Sequence, residues 1–341
     1  MRRRLVITLL CLTAGLFVVD RLGGMVMRQV ALHTQDVLGP KLRDMEESID
    51  ADVVLMGASR CHHHYVPSIL ADTLGMSVYN AGVGGSNNIF AHYVVLCHIL
   101  HHHTPRVVCL ELMTTDYAPQ KDPFHPLAFF APLFGSCAEA DSVYRQAGTY
   151  WRYQASHLYR YNAKAASNII GLAMNRQAKA DRGYMPLPEP ASHPREPELE
   201  ESVMGCDSLK VEYLHRFIRC CRQRNISLVF MVSPKFTVTP IGHYQLLKDV
   251  ARENGVPFLD YHSKRLYHDH PEYFRDATHL WDEGARIYTT RFAGELRRVI
   301  TRNADFSAPQ KRTFSSVEKN KFLCRGKNAA PHSRKRYSVL P

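Results

Sequence analysis

The stretch Ala51-Asp-Val-Val-Leu-Met-Gly-Ala-Ser-Arg60 decides the fold. Residues 51–56 (ADVVLM) form a short apolar run of β-branched character, closed by Gly57. Such a run predicts a strand buried on both faces, as parallel sheets require. Four further runs repeat it: 76–80 (MSVYN), 106–112 (RVVCLEL), 227–232 (SLVFMV) and 257–261 (PFLDY). Helices are expected over 89–101, 210–224 and 243–254, and over 282–300 after the last strand. Strands alternating with helices give an α/β chain, a five-stranded parallel sheet covered on both faces in three α/β/α layers.

Residues 118–205 interrupt that alternation. Their first half is aromatic and reads as helical over 124–134 and 142–176, and the Pro-rich run from Met185 reads as an irregular loop. An insertion at the carboxyl end of a strand lies where α/β sheets bind ligands. The expected organisation is a membrane anchor or signal segment at 1–27, a linker or helix at 28–50, one domain at 51–300 carrying the insertion, and a basic tail at 301–341.

The 341 residues carry a formal charge of +11, placed unevenly. The tail holds ten Lys/Arg against two Asp/Glu, and Arg2, Arg3 and Arg4 supply the rest of the excess. The body is therefore close to neutral, which argues against nucleic acid as a partner. The tail reads as solvated and without periodicity. Nine cysteines with no C-x-x-C spacing indicate neither a disulfide framework nor a structural zinc site.

Three arginines precede an uncharged run from Leu5 to Val19, closed by Asp20 and Arg21. Positive charge ahead of an apolar run keeps the N-terminus cytoplasmic. Fifteen residues are short for a spanning helix, which needs about 20, and fit a signal peptide equally well. Without a small-residue cleavage site, an uncleaved anchor helped across by Gly23-Gly-Met-Val-Met27 is the favoured reading. It puts the body on the extracytoplasmic, periplasmic side of the cytoplasmic membrane.

Three pieces could carry chemistry. Ser59 directly follows the first strand. Asn80-Ala-Gly-Val-Gly-Gly-Ser-Asn87 follows the second, with glycines whose N–H groups are free to meet an oxyanion. Asp276-Ala-Thr-His279 precedes the last helix, and a carboxylate at that spacing can orient an imidazole. Each alone has a blander explanation: a turn needing small residues, a turn needing positive φ, a surface pair.

In this order the pieces resemble the SGNH/GDSL hydrolase superfamily, including membrane-anchored relatives that modify envelope polymers. The resemblance covers roughly residues 50–300 without the insertion. It implies a flavodoxin-like sheet, Ser59 as nucleophile, His279 as base and Asp276 as its orienting carboxylate. It implies an oxyanion hole from the N–H groups of Ser59 and Gly85. Gly284 matches the glycine that follows the family histidine. Thr115 stands where the family has its asparagine oxyanion donor, with Asn87 or Asn88 as substitutes. Arg60, His62, Asn87 and Asn88 are the expected substrate contacts. The implied activity is hydrolysis or transfer of acyl esters, on an envelope or extracellular glycan, with no cofactor and no metal. The alternative is an inactive module that binds glycan or docks a membrane acyltransferase. His62-His63-His64 and His101-His102-His103 also raise a metal-binding protein, a weaker idea because consecutive histidines diverge.

Overall fold

The structure is a computed structural model that describes residues 1–34, 38–162, 169, 181–203, 205–262 and 266–305. One helix, α1 (Arg2–Leu32), leads the chain. The sheet then builds in order: β1 (Val53–Met56), β2 (Val78–Asn80), β3 (Val107–Glu111), β4 (Ser227–Val232) and β5 (Phe258–Asp260). Between them lie α2 (Ser59–His64), α3 (Pro67–Leu74), α4 (Ile89–His102), α5 (Ala138–Gln146), α6 (Tyr150–Ala155), α7 (Ser208–Gln223) and α8 (Gln245–Glu253). Helix α9 (Asp282–Asp305) closes the described chain.

All five strands pair in parallel, in the order β2-β1-β3-β4-β5. This flavodoxin-like order reverses direction at β1 and β3, so a crevice opens at their carboxyl ends. Strand side chains alternate between two cores. Val54, Met56, Val108, Leu110, Phe230 and Val232 join one with α4, α7 and α8. Val53, Leu55, Val107, Cys109, Val229 and Met231 join the other with α9. Burial on both faces is why the strands are continuously apolar, and it makes three layers, as the sequence predicts.

The expected elements occur, most trimmed by one or two residues at an end. Helix α3 and a parallel pair joining Glu198–Leu199 to Thr237–Val238 are additions. Between β3 and α7 the structure departs from expectation. Residues His125–Leu133 are a 3₁₀ helix with Pro126 in its first turn and Pro132 inside it, and the missing N–H of Pro132 interrupts regular α pairing. The single helix expected over 142–176 is instead short pieces, α5, α6 and a turn at Leu158–Tyr161. Its later part, and the tail beyond residue 305, lie outside the described residues.

Candidate functional site

Ser59 is the first residue of α2, three residues past the end of β1 at the crevice. Its Oγ lies 2.9 Å from His279 Nε2. His279 Nδ1 lies 3.0 and 3.1 Å from the two Asp276 oxygens. A carboxylate only accepts, so Nδ1 carries the proton and Nε2 is free to take the serine hydroxyl's. The Asp276–His279 segment is pre-shaped for this. Asp276 Oδ1 accepts from the backbone N–H groups of Thr278 (2.8 Å) and His279 (2.9 Å) and from the Thr278 hydroxyl. Burial alone would raise the Asp276 carboxyl, but these donors and the imidazole outweigh it and hold it well below the usual carboxylate range.

Behind these residues runs a buried chain of hydrogen bonds. His64 Nε2 accepts from the Leu280 N–H at 3.0 Å, so its proton sits on Nδ1 and is donated to Ser233 Oγ at 2.9 Å. Ser233 in turn donates from Oγ and from its backbone N–H to Glu111, the last residue of β3. From the other side Tyr288 donates to Tyr65, and Tyr65 to Glu111. Arg60 closes the arrangement with a guanidinium 3.2 Å from Glu111 Oε1. Burial raises the Glu111 carboxyl, while Arg60, Tyr65 and Ser233 oppose it. Every partner points a proton at it, so we assign the ionised carboxylate. Burial drives the His64 imidazole well below its ordinary range and keeps it neutral. Sequence reasoning missed this network. Its signal was present: a glutamate inside the otherwise apolar RVVCLEL strand needs buried partners.

Arg60, expected to contact substrate, is 1% exposed and committed to Glu111, Leu112 O and Ser233 O. Successive helical residues point about 100° apart, so Ser59 faces the crevice and Arg60 the interior. Asn88 is also corrected. It is fully buried, caps α4 by accepting from Ala91 N–H, and donates to Gln120 and Pro123 O. Thr115 lies in the 3₁₀ turn Thr114–Asp116 after β3. Its hydroxyl is buried without a hydrogen-bond partner, and Lys210 Nζ holds its carbonyl at 2.8 Å. Lys235 is 8% exposed, paired with Glu200, and pushed down to about 7 by burial.

Gly85 and Asn87 lie in the loop between β2 and α4. Gly85 is exposed at φ +84°. A Cβ there would stand 2.9 Å from the Phe129 ring, so both backbone and space demand glycine. Asn87 is half-buried with an unpartnered buried Oδ1. His62, 8% exposed, stacks on His63 at 4.4 Å between ring centres. The His63 ring meets His279 edge-on at 5.9 Å. A cavity of about 310 Å³ beside the glycine loop is lined by Leu38, Lys41, His62, His63, Gly84 and Phe129. Buried Lys41 donates to Gly82 O in that loop, and burial pushes it down to about 7. Among the described residues no cluster of three or more His, Cys, Asp or Glu could hold a metal ion.

No protein-family model matches the chain, and no curated protein matches it. Solved structures do. One is a candidate acylhydrolase of Bacteroides fragilis, 14% identical, covering 72% of this chain and 88% of its own, with a TM-score of 0.31. Overlap at that level carries no chemical inference.

Proposed function

We propose that the chain is a membrane-anchored serine esterase or O-acyltransferase of the SGNH/GDSL type. The observation that carries this is the unbroken relay Ser59–His279–Asp276, with each bond between 2.9 and 3.1 Å. Ser59 Oγ attacks the ester carbonyl carbon as His279 Nε2 takes its proton. The tetrahedral oxyanion is held by the Ser59 N–H, which has no intrahelical acceptor at the first helical position, and by the Gly85 N–H. We assign the third donor to the Asn87 side chain in place of Thr115. Collapse breaks the ester C–O bond, and His279 returns the proton to the leaving alcohol. Water, or an acceptor hydroxyl, then releases the acyl group from Ser59.

Helix α1 is 31 residues long, none of its most apolar 18-residue window is buried, and three arginines precede its apolar run. That supports an anchor with the body on the extracytoplasmic side. An acylated envelope or extracellular glycan is the substrate class we favour there. The threonine that stands in place of the family's asparagine donor motivates a second reading, an inactive module that binds glycan or docks a membrane acyltransferase. Labelling the full chain with a fluorophosphonate probe decides between them. Wild type should label, and Ser59→Ala and His279→Ala should not. A folded wild type that stays unlabelled sinks the enzyme reading.

A further inference from the structure

From Leu5 to Val19 the large apolar residues of α1 are all more than half exposed. That run is about 22 Å long at 1.5 Å per residue, against a hydrocarbon core of about 30 Å. The deficit is made up further along. Leu22, Met25 and Val26 keep one face of the helix apolar and exposed, while the opposite face turns to the body.

On that opposite face, the two charges that end the apolar run are satisfied by protein. Asp20 accepts from Ser156 Oγ (2.5 Å) and from the N–H groups of His157 (2.8 Å) and Leu158 (3.1 Å). Arg21 donates to the carbonyls of Gln154 and Ala155 at 3.2 and 3.3 Å. Charges at membrane depth need internal partners of this kind. A Cβ on Gly24 would lie 2.2 Å from His157 Cβ, so the helix and this segment touch backbone to side chain. The segment carries Trp151 at 76% exposure, with Leu158 at 39% and Tyr159 at 36%. Trp and Tyr favour the membrane–water boundary, where one end of the ring is apolar and the other wet.

We propose that residues 150–159 are an interfacial wedge, seated at the headgroup–acyl boundary of the phospholipid bilayer that α1 crosses, with Trp151 inserted. The wedge covers the face on which α1 turns polar at Asp20 and Arg21, and fixes the height of the body above the lipid. It rests on the reading of α1 as an anchor.

The chain has two tryptophans, so Trp281→Phe leaves Trp151 as the reporter. This full-length variant is reconstituted into phosphatidylcholine vesicles containing lipids brominated near the head or near the end of the acyl chain. Alkaline carbonate extraction is run in parallel. The expected result is retention in the membrane, a blue-shifted Trp151 emission, loss of most of it to the shallow bromines, and little quenching by aqueous iodide. Retention with Trp151 open to iodide and untouched by either bromolipid overturns the wedge and leaves the anchor standing. Release by carbonate overturns both.

Discussion

The imidazole of His64 accepts the backbone N–H of Leu280 at 3.0 Å, one residue past His279. The bond ties the turn that presents the proposed base to the buried Ser233–Glu111 pair on the neighbouring strands. His64 touches no reacting atom, so its role is positioning. His64→Ala leaves the Leu280 N–H without its acceptor and removes the donor to Ser233 Oγ, a penalty of about 1–3 kcal/mol if borne by the turn. We expect kcat for p-nitrophenyl acetate to fall about 10- to 100-fold with KM little changed. His64→Gln can still accept from Leu280 and should recover most of the rate. Equal loss in both variants, or a change in KM alone, would contradict the assignment.

The relay itself gives a graded prediction. Ser59→Ala and His279→Ala should each lose about 10⁴-fold or more in kcat, and the double variant should lose little beyond either alone. Asp276→Asn removes the carboxylate that fixes the His279 tautomer. About half of that side chain is exposed, so water can partly replace it, and about 10²–10⁴-fold is expected. Additive losses in the double variant would show that Ser59 and His279 do not act as a unit.

The third oxyanion donor separates the loops after β2 and after β3, which flank β1. Asn87→Ala should cost about 10²-fold or more in kcat if its amide meets the oxyanion. Thr115→Val, which deletes a buried and unpartnered hydroxyl, should leave kcat within a few-fold and stability unchanged or improved. The reverse pattern would restore Thr115 to the position that the family resemblance gives it.

How much was legible follows from these same residues. The five strands could be read because burial on both faces leaves few polar positions to blur the apolar runs. Ser59, Gly85, Asp276 and His279 stood out because each adjoins the end of an element, where the sheet topology gathers loops at one edge. Sequence position after a strand places a residue at that edge but does not aim its side chain. Hence Arg60 reads as a substrate contact though it points inward to Glu111, and Asn88 as a binding residue though the first turn of α4 claims its side chain. The segment between β3 and α7 reads as longer helix because aromatic spacing is shared by long and short helical pieces, while Pro132 interrupts the helix that forms.

Stability should fall sharply in mild acid. Burial holds His63 and His98 down to about 4 and His262 to about 3, against about 6.5 in the unfolded chain. A base with a depressed folded pKa takes its proton first in the unfolded state. Its stabilisation is therefore complete above about pH 6.5 and is lost as pH falls toward the folded value. The deepest of the three, His98 and His262, are 2% and 3% exposed, and each should contribute of order 2–3 kcal/mol to the loss. Glu111 and Asp141, raised by burial, act in the opposite sense, binding protons more readily when folded, and soften the loss. The urea midpoint should drop steadily between about pH 6.5 and 4, and His98→Gln should make that slope shallower. A midpoint that stays flat across this window would mean these histidines are not buried as the fold places them.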